Sequence, residues 1–313
     1  LHHPRSAAMM ATMHRPLLSA LIVAAIVSID ASFSALKAAD APTRVLIVVG
    51  PSTHPPGSHE VAAGGRLVKH CLEHADNVKN LAADVFYEWP QDSAVRDRAA
   101  TIVFLGDTFP PARLPDSAKV MSELGTMMDR GCGLVCIHYS TGLRAEDVAE
   151  DGDHPLLRWM GGYFATKCRH HQSVARMMTA TITPGDATHP VTRGWHEFTL
   201  NDEPYYNNYF GRGGPAPGVT AVATSMLPPE DPKREVVAWA VDRRDGGRGM
   251  GVVMPHTYRN WTCDDLRRLI LNGIVWTAHR EVPTEGVQTA SPDLAMFEPA
   301  ALDPKPREPA KKK

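Results

Sequence analysis

Several features are missing from this 313-residue chain, and each absence removes a class of function. No glycine-rich Walker loop occurs, no GxGxxG follows the first apolar strand, and no GxSxG elbow is present, which disfavours phosphate, dinucleotide and serine-hydrolase chemistry. No HxH or HExxH spacing marks a ready-made zinc site. Basic residues form no block except Lys311-Lys312-Lys313, and the net charge is −2. Nucleic acid is excluded as the expected partner, because phosphate binding needs a concentrated positive face. Cysteine is scarce, at five residues, and the number is odd. Cys132 and Cys136 lie on one strand, about 13 Å apart at the usual rise, too far to bridge. The thiols read as small buried apolar groups.

No apolar run reaches the roughly 20 residues of a comfortable membrane span. The longest, Leu17 to Ile29, follows His14 and Arg15 and precedes small residues around Ala35 to Ala39. Residues 13–39 therefore read as a signal peptide, with export to the periplasm or medium and no membrane span after cleavage. Residues 1–12 read as upstream sequence outside the fold. Residues 44–282 read as one α/β domain, and 283–313, rich in Pro, Glu and Lys, as a disordered or surface tail.

Within the domain, short β-branched runs alternate with helical patterns. Arg44 to Gly50, Ala82 to Tyr87, Ala99 to Leu105, Cys132 to His138 and Gly249 to Met254 read as strands, the first near the middle of the sheet. Val219 to Ser225 and Glu235 to Val241 add two more, and Val174 to Thr183 is extended. Ser58 is the expected N-cap of a helix carrying Val61, Val68 and Cys71, and Thr262 with Asp265 forms a capping-box pattern. The rhythm predicts a mostly parallel sheet with helices on both faces.

In such sheets ligands bind beyond the carboxyl ends of the strands. His54, His59 and Glu60 follow the first strand, His138 ends the fourth, and His256, Asn260 and Trp261 follow the last. These groups should converge. His138 and His256 are the expected acid–base pair, since imidazole titrates near neutrality. His59, Glu60, Asp202 and Glu203 would hold hydroxyls or a metal, and Tyr205 and Trp261 would stack on a ring. His170 and His171 read as surface. No motif fixes a cofactor, but a divalent metal such as zinc would fit the same histidines with a carboxylate.

The chain resembles the trehalose-utilisation (ThuA-like) family. The resemblance rests on Gly50-Pro51-Ser52 with His54 and His59-Glu60, Gly133-Leu134 with Cys136-Ile137-His138-Tyr139, Trp159 with Gly161-Gly162-Tyr163, and His189-Pro190-Val191-Thr192-Arg193-Gly194. It continues through Asp202-Glu203 with Tyr205, Val237-Ala238-Trp239, Gly246 to Gly249, His256 with Asn260-Trp261, and Leu271 to Trp276. It implies a three-layer, flavodoxin-like fold akin to class I glutamine amidotransferases, and a small carbohydrate such as a trehalose-type disaccharide as ligand. In those amidotransferases the elbow carries a nucleophilic cysteine. Here that position is His138, with Cys136 two residues back, so no glutaminase activity is expected. Relatives carry a second histidine after the one matching His256; Thr257-Tyr258 stands there instead and counts against a metal. Hydrolase, lyase or isomerase chemistry on a sugar or oxidised sugar is the leading expectation. Non-catalytic carbohydrate binding and metal-dependent hydrolysis are the alternatives.

Overall fold

The first strand, β1 (Thr43–Val49), has the continuous apolar run that only a sheet covered on both faces can bury, and its last five side chains are buried. The computed structural model describes residues 41–298; the segments 1–40 and 299–313 lie outside them, and with them the expected signal peptide and the end of the tail. Parallel to β1 run β2 (Leu81–Phe86) at one edge, β3 (Ala99–Leu105), β4 (Gly133–Ile137) and β11 (Arg248–Val252). The order is β2-β1-β3-β4-β11, so β1 lies one strand in from the edge rather than mid-sheet.

Beyond β11 the sheet turns antiparallel, through β10 (Lys233–Asp242), β9 (Val219–Leu227), β7 (Met178–Pro184) and the edge strand β8 (Phe198–Asp202). β8 was not among the expected strands; its side chains alternate in exposure, as they do on a sheet edge. Two short strands, β5 (Gly142–Arg144) and β6 (Phe164–Thr166), pair apart from the main sheet.

Glycines show how the helices close on the strands. Gly133 leaves no room for a Cβ beneath the Thr277 carbonyl of helix α5 (Asp264–Thr277), and Gly273 of that helix is pressed on Met250. Gly249, whose neighbour Met250 points the other way, is covered by the backbone of α4 (Pro155–Met160). The helices α1 (Val61–Glu73) and α3 (Ser117–Asp129) are joined to the sheet by the flanking loops, and a short α2 (Ser93–Asp97) completes the set. The result is a mixed α/β sheet covered by helices on both faces.

Two expected caps are absent. Ser58 is bridged to Thr257, and α1 begins only at Val61. Thr262 closes a 3-10 turn on the Arg259 carbonyl, and α5 starts after Cys263. At Ser58 a tertiary tie, and at Thr262 a local 3-10 turn, holds the chain where a helix cap was expected. The tail differs too. Residues 283–298 lie on the domain with Val287 and Phe297 buried; Asn272 accepts the Val287 N–H at 2.8 Å and Arg66 Nε donates to the Phe297 carbonyl at 3.0 Å. Among the described residues no helix is long and apolar enough to cross a membrane.

The five cysteines are unpaired, and four are buried. Burial pushes the Cys71 and Cys132 thiols up to about 11 and raises Cys136 as well, so none is a ready thiolate.

Candidate metal centre

The carboxyl ends of β1, β3, β4 and β11 open on one edge. His54 and His59 follow β1, Asp107 follows β3, His138 follows β4 and His256 follows β11. Glu203 arrives from β8. The Asp202 Oδ1 accepts the backbone N–H groups of His256 and Thr257 at 2.9 and 3.1 Å, which ties the β8 end to the β11 loop. The Asn260 side chain binds the Asn201 carbonyl at 2.9 Å and adds to the same tie.

Three imidazoles meet there. His59 Nε2 lies 2.9 Å from His138 Nε2 and 3.0 Å from His256 Nδ1, and the third side of the triangle is 3.2 Å. Glu203 Oε2 is 3.1 Å from His256 Nδ1 and 3.8 Å from His138 Nε2. His59, His138, Glu203 and His256 thus form a cluster whose donor atoms could hold a metal ion. Tetrahedral zinc with nitrogen ligands at about 2.0–2.1 Å would set those nitrogens about 3.3 Å apart, close to the observed triangle.

The ring protons are fixed from outside the cluster. His59 Nδ1–H donates to Asp107 at 2.7 Å, and His138 Nδ1–H donates to the Val253 carbonyl at 2.8 Å. Both Nε2 atoms are therefore unprotonated acceptors facing each other, with the Tyr205 hydroxyl 3.0 Å from that of His138. A carboxylate or carbonyl behind each ring is the arrangement that orients histidine ligands. Protonating either ring is opposed. Burial, then the neighbouring histidines, pushes His138 well below the usual range, and burial lowers His59 despite Asp107. Burial alone would raise Asp107, but hydrogen bonds from His54, His59 and Thr53 outweigh it and hold the carboxyl ionised.

Two residues of the cluster sit in left-handed backbone, His59 at φ 44° and His138 at φ 52°. Such conformations cost energy in a non-glycine residue and gather at functional sites. Replacing His138 by Ala or by Gly removes the same imidazole, so comparing the two isolates the backbone. His138→Gly is expected to be more stable than His138→Ala by about 1 kcal/mol in urea unfolding, the reverse of the order at an ordinary position.

The depressed His59 and His138 values also set a pH dependence. The unfolded chain binds protons near pH 6.5 that these buried rings refuse. Their contribution is present above that pH and is lost as pH falls through it. The urea midpoint of metal-free protein is expected to drop between pH 7 and 5.5, and less so in a His138→Asn variant.

Not every expected residue reaches the cluster. Glu60 Oε1 accepts the Gly57 N–H at 2.7 Å and shapes the loop. Asp202 is 1% exposed and its Oδ1 works on backbone, so it positions His256; its Oδ2 is buried without a partner. Tyr205 is buried, stacked on His138 at 4.6 Å and on Phe164 at 4.0 Å, with its hydroxyl 3.0 Å from His138 Nε2. Trp261 is buried in the cavity wall. Neither ring is available to stack on a sugar, because both already pack on protein. The cavity bounded by His59, His138 and His256 has a volume of only about 20 Å³, room for one ion or water and not for a sugar. Stacked on His59 at 3.5 Å is His54, whose side chain is 30% exposed and whose Nδ1 lies 3.0 Å from both Asp107 oxygens. Asp107 was visible in the sequence only as the end of a strand; that position, on the same sheet edge, was the available signal.

A doubly wound α/β protein with a histidine–carboxylate cluster at its strand ends is thus defined. The family model for ThuA, trehalose utilisation, matches residues 45–277, and the chain belongs to that family. Among solved structures, a ThuA-like protein from Bacteroides uniformis is similar at 15% identity and a TM-score of 0.50, over 77% of this chain and 91% of that one. The carbohydrate deacetylase Agd3 aligns at 10% identity and a TM-score of 0.47, over 76% of this chain and 33% of its own. The likeness to the Bacteroides uniformis protein concerns the fold alone. A comparison with curated proteins finds no match.

Proposed function

We propose that the chain is an exported, metal-dependent enzyme acting on a carbohydrate, with a divalent transition ion held by His59, His138, His256 and Glu203. The observation that carries this reading is the pair of unprotonated Nε2 atoms 2.9 Å apart, each ring's proton being committed on its other nitrogen. Two neutral acceptors at that distance repel, burial disfavours a proton between them, and a cation relieves both. Nitrogen and oxygen donors suit zinc or a neighbouring first-row ion. The departure at Thr257 takes nothing from this set, since four donors are already present without it.

Such an ion supplies Lewis acidity toward a substrate oxygen or a more acidic bound water. The chain's own groups do the rest. Asp107 and the Val253 carbonyl hold the two imidazoles in one tautomer. Asp202 holds the His256 loop. Tyr205, whose phenol burial keeps protonated, is a hydrogen-bond donor at the floor of the site. His54, at the rim, offers its outer ring nitrogen to a sugar hydroxyl. The ion-sized cavity requires the sugar to lie above the cluster. The family's description, trehalose utilisation, supports a carbohydrate substrate, and the apolar run in residues 13–39 supports export.

The test is metal analysis of protein purified without a histidine tag, followed by zinc titration against a chromophoric chelator. One equivalent per chain, and loss on adding excess chelator of any activity toward trehalose or a 3-keto-disaccharide, are expected. Less than about a tenth of an equivalent, with no measurable zinc affinity, would overturn the reading.

A further inference from the structure

One residue beside the cluster has the wrong backbone for its type. Thr108 follows Asp107, is fully buried, and has φ 58°. Among the described residues eight non-glycine positions have positive φ, and the other seven are His, Asn, Asp or Lys; Thr108 alone is β-branched. A β-branched side chain is the least tolerant of left-handed backbone, and glycine or asparagine would sit there with less strain. Strain of this kind persists only where the surroundings hold it, and it gathers at functional sites.

The hydroxyl shows what holds it. It donates to the Asp107 carbonyl at 2.6 Å and accepts from Arg113 Nε at 3.0 Å. Glycine would lose both bonds. The same guanidinium forks onto Asp147, Nη1 to Oδ1 at 3.1 Å and Nη2 to Oδ2 at 2.5 Å. Asp147 Oδ2 also accepts the N–H of Arg144, the last residue of β5, and the first residue, Gly142, accepts the Phe109 N–H at 2.7 Å. One planar side chain thus ties the turn after β3, which carries Asp107, to the segment that leaves His138. A guanidinium that served only to pin the Asp147 loop would need its fork alone. The bond from Nε to a strained hydroxyl points to Asp107.

Asp107 is where fixing matters. Its carboxylate accepts from the Thr53 N–H and hydroxyl, from His54 and from His59. It is shared between a buried ring and a half-exposed one, and the placement of its backbone decides how well it serves His59. We propose that Arg113 and Thr108 are positioning residues of the candidate metal centre: they clamp the Asp107 turn, and the clamped carboxylate keeps the His59 proton on Nδ1 and leaves Nε2 to the ion. The role rests on the reading of the cluster as a metal site, but the His59 tautomer is readable without metal.

The test is nitrogen NMR of the metal-free full chain with isotope-labelled histidine, at about pH 8, where imidazole is neutral. His59→Gln identifies the His59 signals. The parent is expected to hold His59 as the Nδ1–H tautomer. Arg113→Lys keeps the charge and loses the fork. It is expected to give His59 as a mixture of both tautomers, and zinc affinity about tenfold lower by chelator competition. Thr108→Val keeps the branch and the strain but removes the hydroxyl, and the same shift is expected. Thr108→Ser is the conservative rescue: it restores the hydroxyl with less strain, and should return the parent tautomer and zinc affinity. Should Thr108→Val fail to fold, Arg113→Lys carries the test, since the Arg113 side chain is 20% exposed. A parent that binds no zinc while Arg113→Lys still shifts the tautomer would support the clamp and overturn only the metal reading. Folded Arg113→Lys protein with lowered stability but His59 wholly as Nδ1–H would overturn the proposal, as would Thr108→Ser behaving like Thr108→Val.

Discussion

Substituting His138 with alanine is expected to weaken zinc binding on the order of a hundredfold to a thousandfold and to abolish turnover. Four-ligand zinc sites bind with about 10–16 kcal/mol, so each ligand accounts for roughly 2.5–4 kcal/mol. Alanine at His59 or His256 should behave alike. Asp107→Asn tests the layer behind the ligands. The amide cannot accept from His59 and His54 with a full negative charge, and a loss of about 10–100-fold in affinity is expected. Cys136→Ala is the control, because that thiol is fully buried in β4 and faces no ligand. It should leave metal content and turnover unchanged. Zinc affinity in His138→Ala equal to the parent's, measured by chelator competition on folded protein, would remove His138 from the site.

That the histidines would meet was legible because the rule connecting them is topological. His54, His59, His138 and His256 each follow a strand that reads as apolar and parallel, and parallel strands deliver their carboxyl ends to one edge. Glu203 was legible as a candidate but its route was not. It comes from β8, at the far edge of the sheet in strand order, and reaches the cluster only because Asp202 grips the His256 loop. No local pattern encodes a contact across 54 residues. The aromatic assignments failed for a related reason. Tyr205 and Trp261 lie beside the site in sequence, but their faces are taken by His138, Phe164 and the core, and side-chain exposure is set by packing. Ser58 and Thr262 have the right cap chemistry, and a tertiary bridge to Thr257 in one case and a preceding 3-10 turn in the other override it.

Gly133→Ala is expected to cause a large loss of stability for a single added methyl. A Cβ at that position would overlap the Thr277 carbonyl and lie 2.6 Å from Thr101 Oγ1. The first obstacle is backbone, so no rotamer change can relieve it. Helix α5 would have to lift from β4, or β4 would have to sink. Overpacking usually costs 1–3 kcal/mol, and a clash with helix backbone belongs at or above the upper end, about 3 kcal/mol. The urea midpoint should fall with the slope unchanged, since the surface exposed on unfolding is the same. The effect should also reach the site. β4 ends at Ile137, and His138 follows directly, anchored to Val253 beyond β11. Displacing β4 against α5 shifts one corner of a triangle whose sides are 2.9, 3.0 and 3.2 Å. Gly133→Ala protein that remains folded should therefore bind zinc more weakly than the parent, although no ligand has been changed. Parent-like affinity together with lowered stability would mean that the cluster is positioned by its hydrogen-bonded loops alone, and that the packing of α5 on β4 holds the fold without setting the site.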